Sequence, residues 1–157
     1  MPGRLQTVLL LVLSLALLPG ASPEPSASRR DVIRMVDRAV EYYQANGLEA
    51  LVTALEDPEN TEFHDRGLYG FIVSDEGQFV AHGANPRLTG KNLIKLKDQN
   101  GVYLFREFVE TGQTKGRGWV SYLWLNPATR KLQPKVTLVQ KLDPGNFVAV
   151  GVYQKAR

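Results

Sequence analysis

The hydrophobic pattern changes its repeat along the chain, and this change limits the folds that the chain can adopt. Before residue 57 the apolar residues recur at helical spacing, as Val32, Met35, Val36 and Ala39 do. After residue 67 the repeat is mostly two, as in LYGFIVSD. Helices and strands segregated in this way predict an α+β fold with an antiparallel sheet, not a parallel doubly wound sheet.

The predicted elements follow from local signals. Ser28 and Asp31 have the spacing of a capping box, so the first helix is expected to begin there and to stop at Gly47. LEALVTALED predicts a shorter second helix, DPENTEFHDRG a loop, and GVYLFREFVETG a helix inserted among the strands. Strands are predicted at residues 68–75, 78–83, 119–125, 134–142 and 146–154.

The start of the chain has the pattern of an export signal. Arg4 precedes an apolar run at residues 8–18, a small and proline-rich stretch follows, and cleavage is expected between Ala21 and Ser28. An uncleaved anchor is the alternative to this signal peptide at 1–27. No later stretch is apolar enough to span a bilayer, so residues 28–157 are expected to form one domain in the periplasm or outside the cell.

Composition and spacing exclude several functions. The chain has no cysteine, which removes disulfides, thiolate catalysis and zinc–thiolate sites. Its net charge is only +3 and the basic residues are dispersed, which argues against nucleic acid as a partner. Gly83 stands two residues too far from Gly90 for a phosphate-binding loop, and Asn92 replaces the hydroxyl that would bind magnesium.

The two histidines do not predict a metal site, because His64 and His82 lie on different segments without metal-ligand spacing. His64 is expected to be a solvated loop residue. Strict alternation would put His82 and Val80 on one face of their strand, with Phe79 and Ala81 on the other. His82 is then either a structural histidine or a hydrogen-bonding group at the mouth of a pocket.

One face of the predicted sheet mixes aromatic and polar side chains. Alternation along three strands places these residues on a common side: Tyr69, Phe71, Tyr122, Trp124, Lys135 and Thr137. They could be an aromatic core from which Lys135 reaches solvent. Burying a lysine beside a threonine in a core costs free energy, however, because buried polar groups need hydrogen-bond partners. A small polar ligand would supply them, and apolar walls with a few convergent polar groups are typical of small-molecule pockets.

These segments resemble the single Cache family, the extracytoplasmic sensor domains of bacterial chemoreceptors and histidine kinases. The resemblance begins in GLYGFIVSDEGQFVAHGANPRLTGKNLIKLKD, with its aromatic hairpin, Ala-His, Asn-Pro and Gly-Lys-Asn elements. It continues through GVYLFREFVE, GRGWVSYLWLNPAT, PKVTLVQKL and FVAVGVY. It covers residues 30–153, which is most of the chain after the signal.

The resemblance implies a PAS-like fold, in which a long N-terminal helix packs on a central antiparallel sheet of about five strands. A lid of loop and helix would cover a pocket on the other side of the sheet, with no cofactor. The ligand would be an organic acid, an amino acid or an amine. The expected ligand-binding residues are Tyr69, Phe71, His82, Tyr122, Trp124, Lys135 and Thr137. Arg106 on the inserted helix could also meet a ligand carboxylate, or instead pair with Glu110.

The sequence departs from the receptor pattern because it shows no second membrane helix and no cytoplasmic signalling module. A free-standing domain is therefore expected, which would pass ligand occupancy to a membrane sensor kinase, a chemoreceptor or a transporter. The alternative is an interaction module that docks on such a partner without a small ligand. An enzyme is the third hypothesis and is not expected, because carboxylates such as Asp75 and Glu110 form no pair with the spacing of acid–base catalysis.

Overall fold

The computed structural model describes residues 26–154, in which three α-helices and six β-strands confirm the α+β class. The helices are α1 (Arg29–Asn46), α2 (Leu48–Glu56) and α3 (Leu104–Lys115). The strands are β1 (His64–Asp65), β2 (Leu68–Ser74), β3 (Phe79–His82), β4 (Arg117–Asn126), β5 (Lys131–Leu142) and β6 (Asn146–Tyr153). Nearly all of the predicted signal peptide lies outside the described residues, so it stays a prediction. Within residues 26–154, none of the helices has both the length and the hydropathy needed to cross a membrane.

The first helix begins where its capping box predicts. The Asp31 backbone N–H donates to the Ser28 hydroxyl, and the Asp31 carboxylate accepts from the Ser28 backbone N–H at 2.8 Å. These bonds satisfy two donors that a helix start leaves without partners. Gly47 ends the helix with a φ of 83°, a conformation that a residue without Cβ adopts at little cost.

The strands form one antiparallel sheet in the order β1-β2-β6-β5-β4, with β3 also paired to β2. Helices α1 and α2 bury their apolar stripes against one face, which we call the helix face. Helix α3 and the loop before it cover the other face, which we call the lid face. We call residues 83–115 the lid; they include a short 3-10 helix at Pro86–Leu88. The strand absent from the sequence prediction is β1, which pairs His64 with Tyr69.

Strand β3 corrects the predicted alternation around His82. Val73 pairs with Phe79 while the neighbouring Ile72 pairs with Ala81, so the extra residue Val80 makes a bulge. The bulge shifts the alternation by one residue. Phe79 and His82 therefore both lie on the lid face, with ring centroids 5.1 Å apart. Val80 and Ala81 pack against the helix face.

His64 also differs from its prediction as a solvated residue. It is half-buried, and its Nε2 lies 2.9 Å from the carbonyl oxygen of Leu55 at the end of α2. Its neighbour Phe63 is fully buried in the helix-face core and meets Tyr42 edge to face. The loop between α2 and β2 is thus anchored to the helices.

Helix α3 is held close to the sheet by Gly112, and this contact gives a stability prediction. A Cβ at Gly112 would collide with the ring of Phe147, which is itself fully buried on β6. We expect Gly112→Ala to lower the free energy of unfolding by about 2 kcal/mol, because overpacking outweighs the gain in helix propensity. Urea unfolding measures the change. Gln113→Ala on the exposed side of the same helix is the control, and equal midpoints for the two variants would contradict this packing.

Candidate functional site

The lid face brings together seven of the eight residues that the sequence singles out. Strands β2, β3, β4 and β5 supply them: Tyr69, Phe71, His82, Tyr122, Trp124, Lys135 and Thr137. Cross-strand pairing fixes their neighbours, since Phe71 lies opposite His82 and Tyr122 lies opposite Lys135. The side chains therefore converge on a single part of the sheet, beneath α3.

Lys135 crosses a whole strand to reach this cluster. It lies on β5, its hydrogen-bond partner Tyr69 lies on β2, and β6 runs between them. The crossing passes over Gly151 of β6, where an added Cβ would come within 2.6 Å of Lys135 Cε. The missing side chain at Gly151 is what leaves room for the lysine stem.

The Lys135 ammonium is buried without a carboxylate. The residue is only 1% exposed, and its Nζ donates to the Tyr69 hydroxyl at 2.8 Å. Nζ also lies 4.0 Å from the centroid of the Tyr69 ring and 4.9 Å from that of Tyr153. None of the ion pairs among residues 26–154 includes Lys135. Burial lowers the pKa of Lys135 to about 7, because the charged form loses its hydration.

A chain of phenols continues from the lysine. The Tyr69 and Tyr153 hydroxyls are 3.2 Å apart, and Tyr153 donates to the Leu125 carbonyl at 2.9 Å. Tyr69 therefore accepts from Lys135 and donates to Tyr153. Burial raises the pKa of Tyr69 far above its usual range, so this phenol stays neutral. Sequence reasoning missed Tyr153, although Ala149, Gly151 and Tyr153 alternate onto this face.

Tyr122 and Thr137 form a second polar pair beside the lysine. Their hydroxyl oxygens are 2.9 Å apart, and both side chains are buried. Burial raises the pKa of Tyr122 above its usual range, so the pair is neutral. Each hydroxyl has a further lone pair or proton to offer to a bound molecule.

His82 is both a structural residue and a wall of the site. Its Nδ1 accepts the backbone N–H of Asn85 at 3.0 Å, which holds the turn after β3. Its ring stacks on Phe71 with 5.7 Å between centroids. Burial, followed by the nearby charge of Lys135, lowers the pKa of His82 to about 4. The neutral ring therefore carries its proton on Nε2, which has no hydrogen-bond partner among the described residues.

Two spaces adjoin this cluster. An internal cavity of about 10 Å³ lies between Lys135 and the lid, closed by Phe105 of α3 and by Trp124. An open pocket of about 420 Å³ lies beside it, lined on the sheet side by Tyr69, His82 and Trp124. The lid thus fits tightly over the ammonium, while the neighbouring space is open.

Arg106 stands apart from the other seven. It is exposed on α3, with its guanidinium carbon 4.1 Å from the centroid of the Tyr103 ring. It lines neither of the two spaces, and the ion pairs of residues 26–154 do not join it to Glu110. Arg106 therefore does not belong to the cluster that the structure assembles.

The chemistry of the cluster suits an anion. Lys135, His82 and Tyr122, whose hydroxyl is neutral, line a small aromatic enclosure that has no acidic side chain among its lining residues. Across the described part of the chain, no group of three His, Asp or Glu side chains could hold a metal ion.

Two curated relatives are sensory proteins. The chain is 28% identical over 134 residues to the methyl-accepting chemotaxis protein McpP of Pseudomonas putida, which covers 79% of this chain and 24% of McpP. It is 29% identical over 86 residues to the sensor histidine kinase MctS of Rhizobium johnstonii, which covers 54% of this chain and 18% of MctS. The chain spans less than a quarter of each relative's length.

The fold comparison agrees with these relatives. The periplasmic sensor domain of a chemotaxis protein has a TM-score of 0.63 and 28% identity to this chain, and the match covers 80% of this chain and 90% of that domain. The similarity confirms the PAS-like arrangement of helix, central sheet and covered lid face. Residues 28–155 match the family model of single Cache domain 2, and the chain belongs to that family of sensor domains.

Proposed function

We propose that this domain is an extracytoplasmic sensor for a small organic acid, whose carboxylate binds the Lys135 ammonium beneath the lid. The carrying observation is the burial of that ammonium without any acidic partner. An unpaired buried charge is costly, and proteins usually neutralise it with an opposite charge. A ligand carboxylate would provide that charge and accept hydrogen bonds from Lys135 and His82. No catalytic step is part of this proposal.

Of the three expected ligand classes, the residues favour the organic acid. An amine would bring a second positive charge next to Lys135. An amino acid would need an acidic side chain for its own ammonium, and the residues around the internal cavity include none. The neutral pair Tyr122–Thr137 suits a hydroxyl or carbonyl oxygen on the acid instead.

Binding requires the lid to move, because the internal cavity of about 10 Å³ is too small for an organic acid. The aromatic contacts that would open first join the lid to the sheet. Phe105 of α3 lies 5.0 Å from Phe79 and 6.1 Å from Trp124, measured between ring centroids. A ligand that replaced these contacts would change the position of α3. A partner such as a membrane sensor kinase, a chemoreceptor or a transporter would detect the bound ligand through this change in the position of α3.

Matched acids and amides test the ligand class. We expect acetate, propanoate and benzoate to raise the melting temperature, while acetamide, propanamide and benzamide leave it unchanged. At a hundredfold excess over the dissociation constant, mass action stabilises the folded state by roughly 2.7 kcal/mol. Titration calorimetry then gives affinities for the acids that act.

Two outcomes would contradict the proposal. Equal shifts of the melting temperature with acids and amides would show that the charge of the acid does not contribute to binding. Failure of every acid, together with capture of a membrane sensor by the ligand-free domain, would favour the interaction module.

A further inference from the structure

The open pocket of about 420 Å³ has a different chemistry from the ammonium site. Its outer wall consists of aliphatic and proline side chains from the lid, from the adjoining ends of β4 and β5, and from the turn between these strands. They are Leu88, Leu125, Pro127 and Leu132. The pocket is larger than the internal cavity by more than an order of magnitude in volume. It is therefore the space in which a sizeable apolar group would fit beside the lysine.

Two leucines of this wall are unusually exposed. Leu125 on β4 is 53% exposed and Leu132 on β5 is 49% exposed, and the two lie directly opposite each other in the strand pairing. Adjacent exposed aliphatic side chains at the rim of a concave surface are typical of a binding site. Covering them with an apolar group would remove that surface from water.

The open pocket is continuous with the ammonium site through shared side chains. His82 and Trp124 line both the internal cavity and the open pocket. Tyr69, which binds Lys135 through its hydroxyl, also lines the open pocket. A molecule whose carboxylate is bound at Lys135 would therefore extend between His82 and Trp124, and its other end would lie in the apolar pocket.

We propose that the preferred ligand is an amphiphilic monocarboxylate, with its carboxylate at Lys135 and an aliphatic or aryl tail against Leu88, Leu125 and Leu132. This inference rests on the proposed function and specifies it further. The positive charge at the inner end and the aliphatic wall at the outer end match the two ends of such an acid. A very short acid would leave the outer wall uncovered.

A homologous series of acids tests the tail. We expect affinity, measured by titration calorimetry, to rise about fourfold for each methylene added from acetate through butanoate to hexanoate. The gain should end once the pocket is filled. Hexanamide is expected to bind far more weakly than hexanoate, because it lacks the charge that Lys135 would pair with.

Substitutions at exposed aliphatic residues locate the tail. Leu132→Ser should lower the affinity for hexanoate about tenfold and lower the ratio of hexanoate to acetate affinity. Ile33→Ser is the matched control, since Ile33 is exposed on α1, across the sheet from the lid. It should change neither affinity.

The outcomes separate this inference from the proposed function. If short acids bind as tightly as hexanoate, the apolar pocket does not bind the tail, although the carboxylate site at Lys135 can still be correct. Failure of all acids would overturn both. If Lys135→Met leaves hexanoate binding unchanged, hexanoate does not place its carboxylate at Lys135, and the proposed binding mode is wrong. A change of sedimentation coefficient in Leu132→Ser, with no effect on hexanoate, would show a protein interface instead and overturn the proposal.

Discussion

Replacing Lys135 with methionine is expected to abolish acid binding while leaving the protein at least as stable as before. Methionine has a similar length and fills the same path over Gly151, but it carries no charge. Loss of a buried hydrogen-bonded charge pair typically costs about 2–5 kcal/mol of binding free energy, so affinity should fall about thirtyfold or more.

Although Lys135→Met should lose affinity for acids, its free energy of unfolding should stay the same or rise. The ligand-free protein holds the Lys135 ammonium with a phenol as its hydrogen-bond acceptor. Replacing even a paired buried charge with apolar side chains of similar volume is often neutral or stabilising, by about 1–4 kcal/mol, and the Lys135 charge has no opposite charge to offset its lost hydration. Tyr69 keeps its hydrogen bond to Tyr153, so no buried phenol is left without a partner.

Calorimetry and urea unfolding on the same preparation measure both effects. Lys141→Met is the matched control, because Lys141 is an exposed lysine on the same strand. It should change neither affinity nor stability appreciably. A Lys135→Met protein that unfolds more easily than wild type would show that the lysine serves the fold. A Lys135→Met protein that binds acids normally would show that Lys135 does not bind the carboxylate.

Acid binding is also expected to weaken above neutral pH. Burial lowers the pKa of Lys135 to about 7 in the ligand-free protein, and a bound carboxylate would raise that pKa by favouring the charged form. Binding above pH 7 therefore takes up a proton. The affinity should be nearly constant below pH 7, at pH values where the acid is ionised, and should fall by up to about tenfold per pH unit above it.

Titration calorimetry at pH 8, in two buffers with different heats of ionisation, counts the protons taken up. Close to one proton per acid is expected for wild type. His82, whose pKa is lowered to about 4, is already neutral at this pH and does not contribute. Zero proton uptake, with an affinity that does not change from pH 6 to pH 9, would contradict the assignment of the ammonium as the binding group.

The same pKa shift predicts how stability depends on pH without ligand. The folded-state pKa of Lys135 lies below its unfolded value of about 10.4, so between these values the unfolded chain binds more protons. The free energy of unfolding should therefore rise with pH above 7, by up to about 1.4 kcal/mol per unit. The raised pKa of Tyr69 and of Tyr122 opposes this only near pH 10. Lys135→Met should lack the rise between pH 7 and 9.

Much of the fold was predictable because its signals are local. The capping box at Ser28, the helical stripe of α1 and the two-residue repeat of β2 each depend on neighbours in sequence. The bulge at Val80 was not predictable from alternation, because it depends on how β3 pairs with β2. Strand β1 was missed because a two-residue bridge inside a polar loop has no repeat to detect.

The candidate site divides in the same way. Alternation along regular strands placed Tyr122, Lys135 and Thr137 on the lid face, where the structure has them. For Arg106, helical spacing left two alternatives open, a ligand contact or a pair with Glu110, because spacing alone does not show which side of α3 faces the sheet. The structure places its guanidinium against the Tyr103 ring. The exposed Leu132 gave no signal, since an apolar residue next to a turn is ordinary in sequence.

The proposed function depends on the Lys135 ammonium, which lies beneath the lid and would be neutralised by a ligand carboxylate. The most direct test is an NMR titration of the Lys135 side-chain amine, with and without a bound acid. We predict a pKa near 7 in the free protein, as burial requires, and a rise of more than one unit when the acid is present. An ordinary lysine pKa in the free protein that no acid alters would show that Lys135 does not bind the carboxylate.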